Sequence, residues 1–549
     1  MKKYKNILFL LFGLLLINLF VNKFDVRWDM TQNHRFTLSN ASAKVLKQVK
    51  EPIQVLVFLE GDFPSYFKRL RNETEHLLQD FNNINTNIDY VFINPNTKTE
   101  DYIKGLIQKG LQPATLSVQQ SGKLEQITIF PWAIIKQGKK EIPVSLLDKS
   151  YANTTEKQIQ KSIESLEYQM VNGISQVQSI KNKKIAVIKG KGELDDAHIY
   201  SFLKTLGEKY RLAAFTLDSV KTQPDKTLTE LQNYDLAILA KPTKRFNDKE
   251  KFVLDQFLMK GGRILWMTDA IKAHKDTLMY HGKTYALNAE MNVTDMFFSY
   301  GIRIKSVLVK DLIAAPVVLK VGQVGNKPQL KQFPWFYSPL ASPVQKHLIG
   351  KNLDMVMLDF ASPIELLKNN IKKTVLLTSS PRTDLVGVPT EINFDEIGKK
   401  PDIQQYNKGV QIFGVLLEGN FKSLFQHRLK PINLPNIKEQ GTSAMIVISD
   451  GDIVKNQLDK GNPLPLGFDK WSKMTYDNQQ FLLNAVDYLM DKKGVISLKN
   501  KEITLPLLDK NSLVVSLRKW QLINTIFPLT LIGILGFGVY YLRKKKYAK

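Results

Sequence analysis

Two glycines separated by one residue follow an apolar run in the segment KIAVIKGKGELDD, residues 184–196. A G-x-G-x-x-G loop between a strand and a helix can hold a dinucleotide phosphate. Gly190 and Gly192 fit the first two glycine positions, but Asp195 stands where the third glycine belongs. A carboxylate at that helix start repels phosphate, so we predict that the loop turns the chain without binding a nucleotide.

Acidic residues follow several predicted strands, and the carboxyl ends of parallel strands meet at one edge of a sheet. With the glycine loop they make a candidate ligand crevice of six residues: Gly190, Gly192, Glu193, Asp269, Asp450 and Asp452. Paired carboxylates there could bind a cation or handle a proton. The alternative is that these acids only cap the helices that follow the strands.

Other catalytic patterns are absent from the sequence. The chain has no cysteine, which excludes a thiol nucleophile, a disulfide and a cysteine zinc site. Its seven histidines form no HExxH pattern, and neither a G-x-S-x-G nor a G-x-x-x-x-G-K-[ST] motif occurs. We therefore assign no catalytic, cofactor-binding or metal residue, expect no cofactor, and predict that the chain is not an enzyme.

The formal net charge of +25 raises the question of a nucleic-acid partner. The lysines are spread along the whole chain, and no zinc-finger or RRM-like signature accompanies them. A solvated, lysine-rich surface is the simpler interpretation, and we expect no nucleic-acid partner.

The chain from residue 23 to residue 150 alternates predicted strands and helices before it ends in strands. Apolar runs predict strands at residues 53–59 and 88–94 with a helix between them, then a short helix and three strands, the second over residues 127–135. This order predicts a thioredoxin-like α/β domain over residues 23–150. An amphipathic stripe predicts a connecting helix within residues 151–182.

The chain from residue 183 repeats this alternation, with predicted strands at residues 185–188, 211–217, 235–241 and 263–268. Alternating strands and helices predict a parallel, doubly wound sheet. The segment SAMIVISDGD and the helix NQQFLLNAVDYLM are expected to return to that sheet. We therefore predict a domain over residues 183–495 with an insertion at about 270–440, followed by a membrane-proximal linker at 496–520.

Apolar segments lie near both termini. Residues 7–21 are short for a bilayer span, but no small-x-small cleavage pattern follows, which favours an uncleaved signal anchor over residues 1–22. Residues 521–542 are long enough to cross a bilayer, and 543–549 form a basic tail. Because both termini are the more basic flanks, we predict that both lie in the cytoplasm and that the bulk of the chain is periplasmic, at the inner membrane.

Six motifs occur in a fixed order: RWDMTQNHRFTLS, LKQVKEPIQVLVFL, IKGKGELDD, FPWFYSPLAS, ISDGD and DNQQFLLNAVDYL. In this order, and over nearly the whole chain, they resemble the auxiliary proteins of bacterial ABC transporters, in particular those associated with gliding motility in Bacteroidetes. The turn in those proteins often has a histidine between its glycines, where this chain has Lys191.

The resemblance implies a non-catalytic component that binds a substrate or an envelope protein, with a separate ABC-type ATPase subunit and a membrane permease subunit as partners. It also implies a class I amidotransferase-like fold from Lys183 onward, although those enzymes use a cysteine that this chain lacks. The expected fold class is α/β, with two transmembrane helices flanking a thioredoxin-like domain and an amidotransferase-like doubly wound domain. A periplasmic enzyme or ligand sensor using the acidic crevice, and a scaffold of gliding or secretion machinery, remain alternatives.

Overall fold

The computed structural model describes residues 38–120, 123–147, 155–178, 183–325, 327–395, 397–433, 436–490 and 510–547, together with Gly13. The chain divides into two compact units, residues 36–501 and the two ends, 1–35 with 502–549. Apart from Gly13, the predicted signal anchor at residues 1–22 lies outside the described residues, as does the linker from 496 to 509.

The N-terminal part of the larger unit contains ten helices and strands: α1 (Asn40–Lys47), β1 (Ile53–Val57), α2 (Ser65–Ile84), β2 (Ile88–Phe92), α3 (Glu100–Gln108), β3 (Ala114–Gln120), β4 (Lys123–Ile129), β5 (Trp132–Gln137), β6 (Lys140–Ser145) and α4 (Thr155–Gln178). One sheet has the order β2-β1-β5-β6, with β1 parallel to β2 and antiparallel to β5. Helices α2 and α4 bury Phe67, Leu70 and Ile174 against it.

The single strand predicted over residues 127–135 is two strands in the structure. β4 ends at Ile129 and pairs with β3 in a hairpin, while β5 begins at Trp132 and joins the four-stranded sheet. Pro131 lies between them. Because proline has no backbone N–H to donate to a strand partner, it favours a break at this position.

The next part contains the four strands predicted from the apolar runs and the helices between them: β7 (Lys184–Lys189), α5 (Asp196–Lys209), β8 (Arg211–Thr216), α6 (Pro224–Leu231), β9 (Leu236–Ala240), α7 (Asp248–Met259) and β10 (Arg263–Met267). β7 is parallel to both β8 and β9, and β9 is parallel to β10. The strand order therefore reverses at β7, which confirms the predicted parallel strands of this part.

The middle of the chain supplies short strands, two short helices and a long ribbon: β11 (Ile271–Lys272), α8 (Lys275–His281), β12 (Lys283–Asn288), α9 (Thr294–Ser299), β13 (Ile302–Ile304), β14 (Val307–Asp311), β15 (Ala314–Val324), β16 (Lys327–Pro343), β17 (Val356–Met357), β18 (Ile364–Leu366), β19 (Lys372–Thr378), β20 (Thr383–Gly387), β21 (Thr390–Asn393) and β22 (Ile412–Lys422). Four of these strands extend the main sheet in the order β15-β16-β19-β22. The middle of the chain therefore contributes strands to the same sheet that contains β7 to β10.

The last elements are β23 (Gln440–Ile448), β24 (Leu458–Asp459), β25 (Asn462–Pro463), α10 (Asn478–Met490) and α11 (Lys510–Tyr547). β23 is parallel to β10 and antiparallel to β22, so it joins the parallel and antiparallel halves of a ten-stranded sheet. Phe252 and Phe257 of α7 pack on one face, and Phe202 of α5 and Phe481 of α10 on the other. Buried on both faces, the central strands read as continuous apolar runs.

Helix α11 belongs to the second unit. Among the described residues, one helical segment is long and apolar enough to cross a membrane, Lys519–Tyr547, and none of its apolar window is buried. The predicted span at residues 521–542 lies within it, and Pro528 interrupts its backbone hydrogen bonding.

Candidate functional site

Three parallel strands bring charged residues to one edge of the main sheet. Lys241 follows β9, Asp269 lies two residues beyond β10, and Asp450 and Asp452 follow β23. β9, β10 and β23 are neighbours in the sheet, so their carboxyl ends are adjacent. The structure thus brings together three of the acidic residues that the sequence placed in a crevice.

Lys241 lies at the centre of these carboxylates. Its Nζ is 3.4 Å from a carboxylate oxygen of Asp269 and donates a hydrogen bond to Asp452. The residue is only 7% exposed, and its backbone has a left-handed φ of 55°. Although burial lowers the pKa of Lys241, the negative charges of Asp452 and Asp269 raise it further than burial lowers it. The ammonium group is therefore held charged between two carboxylates.

Gly451 makes the space that Lys241 occupies. A Cβ atom on Gly451 would lie 2.5 Å from the Cγ of Lys241 and 2.7 Å from its Cβ. The backbone N–H of Gly451 also donates to Asp269 at 2.6 Å. The glycine of the ISDGD motif thus lets a buried lysine stem approach the backbone, which explains its residue type.

Asp450 is fully buried beside this ion pair. Its two carboxylate oxygens accept hydrogen bonds from the backbone N–H groups of Asp452, at 2.7 Å, and of Asp359, at 2.8 Å. Burial raises the pKa of Asp450, and the neighbouring charges of Asp452 and Asp269 raise it further. Burial raises the pKa of Asp269 as well, against the effect of Lys241. These two carboxyl groups of the edge bind a proton more readily than an ordinary aspartate does.

A second lysine extends the cluster. Lys275 donates to Asp359 at 2.7 Å and to the hydroxyl of Ser338 at 3.2 Å, and Ser338 donates to the same carboxylate. Burial lowers the pKa of Lys275, but Asp359 raises it above the ordinary value. We call the six charged residues the edge network: Lys241, Asp269, Lys275, Asp359, Asp450 and Asp452. Through Asp359 and Ser338 it connects the ISDGD and FPWFYSPLAS motifs.

The glycine loop lies beside this network, between β7 and α5. The carboxylate of Glu193 accepts the backbone N–H groups of Gly190, at 2.9 Å, and of Lys191, at 2.7 Å. These donors are the kind that would hold a phosphate in a nucleotide site. In this chain the carboxylate of Glu193, in the same loop, already accepts both of these N–H groups.

The loops after β7 and β9 are also bonded directly to each other. The carbonyl of Lys191 accepts the N–H groups of Thr243 and Lys244, each at 2.8 Å, and the Thr243 hydroxyl donates to the carbonyl of Gly192 at 2.7 Å. Because the strand order reverses at β7, a ligand crevice is expected between these two loops. Main-chain hydrogen bonds join the loops at that position.

The predicted crevice residues therefore fall into two groups. Asp269, Asp450 and Asp452 belong to the edge network, whereas Gly190, Gly192 and Glu193 form a self-bonded turn. Sequence reasoning missed the two lysines, Asp359 and Ser338. Lys241 directly follows the apolar run of β9 and could have been placed at the edge on that ground, but Lys275 and Asp359 lie in irregular segments that carry no such signal.

The edge network has limited chemical capacity as it stands. Among the described residues, no group of three histidine, aspartate or glutamate side chains is arranged to hold a metal ion. Each network aspartate already accepts a hydrogen bond from a lysine or a backbone N–H. The arrangement stabilises the loops at the sheet edge and keeps two protonatable carboxyl groups out of solvent.

The fold and this edge define a mixed α/β protein with a candidate membrane helix and a sheet edge filled by its own ion pairs. The model of a family described as an ABC-type uncharacterized transport system matches residues 182–485, just over half of the chain. The chain therefore belongs to the auxiliary family of ABC-type transport systems. A second family, described as a domain of unknown function, matches residues 32–136.

Two individual proteins match this chain, one by sequence and one by structure. An uncharacterized protein of Borreliella burgdorferi is 22% identical over 553 residues, which cover 98% of this chain and 97% of that protein. Among solved structures, the mmIFT52 N-terminal domain matches with a TM-score of 0.30 and 13% identity, over 59% of this chain and 100% of that one. A TM-score this low supports no inference about fold or function.

Proposed function

We propose that this chain is a membrane-anchored, non-catalytic component of an ABC transporter-type complex, and that it binds a substrate or an envelope protein. In this proposal an ABC-type ATPase subunit and a membrane permease subunit are its partners, and the complex is associated with gliding motility. Membership of the auxiliary family supports the transporter association. The order of the six motifs favours the gliding-associated branch, of which GldG of Bacteroidetes is the representative.

The proposal includes two spans in the inner membrane, with both termini cytoplasmic and the larger unit periplasmic. The apolar helix within α11 supports the second span. Residues 23–150 would form a thioredoxin-like domain, supported by the sheet order β2-β1-β5-β6. Residues 183–495 would form an amidotransferase-like domain, supported by the parallel strands β7 to β10 and β23.

The observation that carries the non-catalytic part of the proposal is the filled edge of the main sheet. Open α/β sheets bind their ligands at the carboxyl ends of the strands. Here Lys241 is paired with Asp269 and Asp452, and Glu193 occupies the loop amides. A chain built this way acts through its surfaces, with ATP hydrolysis supplied by another subunit.

Purification of the full chain from native membranes tests the proposal. We expect an ABC-type ATPase and a permease to co-purify with the chain in stoichiometric amounts. The matched control replaces Leu529, an exposed apolar residue of α11, by arginine, which should weaken membrane insertion and remove both partners. Recovery of the wild-type chain alone, or full ATPase activity and motility after its deletion, would contradict the proposal.

The periplasmic placement has its own test. Tyr280 is 89% exposed and the chain has no cysteine, so Tyr280→Cys introduces one accessible thiol. We expect a membrane-impermeant thiol reagent to label this variant in spheroplasts without lysis. Labelling that requires lysis would place the larger unit in the cytoplasm and refute the topology.

A second candidate, a ligand sensor or enzyme at the edge network, is favoured by one observation. Buried carboxyl groups with a raised pKa, such as Asp450 and Asp269, are common at functional sites. Asp450→Asn keeps the side-chain volume and removes the titrating group. Loss of motility at normal protein abundance, with the partners still bound, would favour the sensor, whereas unchanged motility would leave the network a structural role.

A further inference from the structure

Strands β15 and β16 form a long antiparallel ribbon whose far end is exposed. Their register pairs Val317 with Phe333 and Val324 with Lys327. The described side chains from Lys320 to Gln332 are exposed or partly exposed, whereas Trp335 and Tyr337 of β16 are buried at the root. We call residues 320–332 the ribbon tip. The tip lies beyond the packed part of the protein.

The ribbon tip carries positive charge that nothing in its sequence neighbourhood balances. From residue 312 to residue 353 there is no aspartate or glutamate, and lysines occur at positions 320, 327, 331, 346 and 351. Lys320 and Lys331 have no ion-pair partner among the described carboxylates. Lys331 lies over the ring of Phe333, 5.3 Å from its centroid. The charge of the tip is therefore open to an external anion.

Apolar side chains lie beside these lysines on the ribbon. Lys320 is opposite Leu330 and Lys331 is opposite Leu319 in the strand register, so each face combines a lysine with an apolar side chain. Leu330 is 54% exposed and Val321 is 48% exposed. Lysines that keep their ammonium groups in water beside exposed apolar side chains are typical of segments at a lipid–water interface.

The outer edge of β15 is poorly suited to adding another strand. It is the terminal strand of the sheet order, but Pro316 lacks a backbone N–H and the register shifts between Lys320 and Gly322. Prolines, bulges and lysines are features that protect edge strands from pairing. A second copy of the chain is also disfavoured, because each copy carries a net charge of +25. Recognition must use the side chains of the tip.

We infer that the ribbon tip binds anionic lipid headgroups. The inference does not depend on the proposed transporter role: it requires only the exposed lysines and apolar side chains of the tip and a lipid surface. The chain also contains, in α11, a segment that is long and apolar enough to enter such a surface. Each lysine near an anionic surface contributes about 1 kcal/mol, which corresponds to roughly a fivefold change in binding.

A fluorescent label at Leu330 tests this inference on the full chain, because the cysteine-free sequence gives no background labelling. Leu330→Cys would be labelled with an environment-sensitive dye and reconstituted into phosphatidylcholine–phosphatidylglycerol vesicles or into pure phosphatidylcholine vesicles. We expect quenching by lipid-borne nitroxide in the anionic vesicles only. The matched control is the same label at the exposed Tyr280→Cys, which should not be quenched in either vesicle.

Charge reversal supplies the second arm. Adding Lys320→Glu and Lys331→Glu to the labelled chain should remove the quenching, and it should leave unfolding unchanged because both lysines are exposed. Equal quenching in both vesicle types, or none at position 330, would overturn the inference. A label that is shielded from solvent in native membranes but not in vesicles would indicate that the tip binds an acidic protein. That result would also overturn the inference.

Discussion

At the carboxyl edge of the main sheet, Lys241 and Lys275 lie among four aspartates, whereas Lys320 and Lys331 of the ribbon tip have no ion-pair partner among the described carboxylates. The edge lysines are largely buried and bonded to carboxylates. The tip lysines Lys320 and Lys331 face solvent. The same residue type therefore holds loops together in one region and remains available for an external anion in the other.

The difference determines what each region can respond to. A buried ion pair gives little net stability over an apolar pair, but removing one partner is costly because the other charge stays buried. An exposed lysine contributes little to folding, and its electrostatic interactions are screened by salt. Edge substitutions should therefore change stability, and tip substitutions should change binding at unchanged stability.

Lys241→Met should give the largest effect. It keeps the length of the side chain but leaves Asp269 and Asp452 without their cation, which we expect to lower the free energy of unfolding by about 3–5 kcal/mol. The measurement is a urea titration of the full chain in detergent, with unfolding monitored by tryptophan fluorescence. Lys320→Met at the tip is the control and should stay within about 0.5 kcal/mol of wild type. Equal effects of the two variants would remove the distinction between the regions.

Gly451→Ala should give the next largest effect on the same assay. The added Cβ would lie 2.5 Å from the Cγ of Lys241, so the lysine must shift from its carboxylates. We expect a loss of about 1–3 kcal/mol. Gly387→Ala is the matched control, because nothing lies within 4 Å of its added Cβ. A Gly451→Ala variant as stable as that control would show that the lysine position is not fixed by packing.

The pH dependence of stability distinguishes Asp450 from the exposed Asp276, which pairs with Lys455 at 2.6 Å. Burial raises the pKa of Asp450 above 3.8 in the folded chain, so the folded state binds a proton more tightly and the stability contribution of Asp450 falls as pH rises above that value. The cost of Asp450→Asn should therefore shrink with rising pH, by at most about 1.4 kcal/mol per pH unit.

Asp276→Asn is the control of opposite sign. Burial opposes the shift, but Lys455 lowers the pKa of Asp276, so its stabilising effect is present above the unfolded pKa and lost as the pH falls through the folded pKa. The cost of Asp276→Asn should grow with rising pH below the ordinary aspartate pKa of 3.8 and stay level above it, where the cost of Asp450→Asn shrinks. Parallel pH profiles for the two variants would contradict the assignment of Asp450 as a buried, proton-favouring carboxyl group.

Much of the parallel sheet could be predicted because its signal is local. The apolar runs at residues 185–188 and 235–241 correspond to β7 and β9, since strands buried on both faces need continuous apolar sequence. The helix predicted from NQQFLLNAVDYLM is α10. The edge of the sheet then follows from topology, which is why Asp269, Asp450 and Asp452 could be placed together.

The partners of those acids could not be predicted, because they come from distant, irregular parts of the chain. Asp359 is 91 residues from Asp450 in the sequence, yet its backbone N–H reaches that carboxylate. The antiparallel strands β19 and β22 extend the sheet through long-range pairing that no local pattern encodes. Whether a lysine is buried in an ion pair or exposed at a tip depends on such contacts.

Glu193→Ala should give the smallest effect. It extends the comparison from buried and exposed lysines to a carboxylate that is bonded to backbone N–H groups. Its carboxylate accepts two loop N–H groups, but Gly190 is exposed, so water can replace part of what is lost. We expect a loss of about 1 kcal/mol in the free energy of unfolding, measured by the same urea titration. Glu193→Gln keeps an acceptor oxygen and should cost less. A loss as large as that of Lys241→Met would mean that the glycine turn, and not the buried ion pair, is what holds the loops of this edge in place.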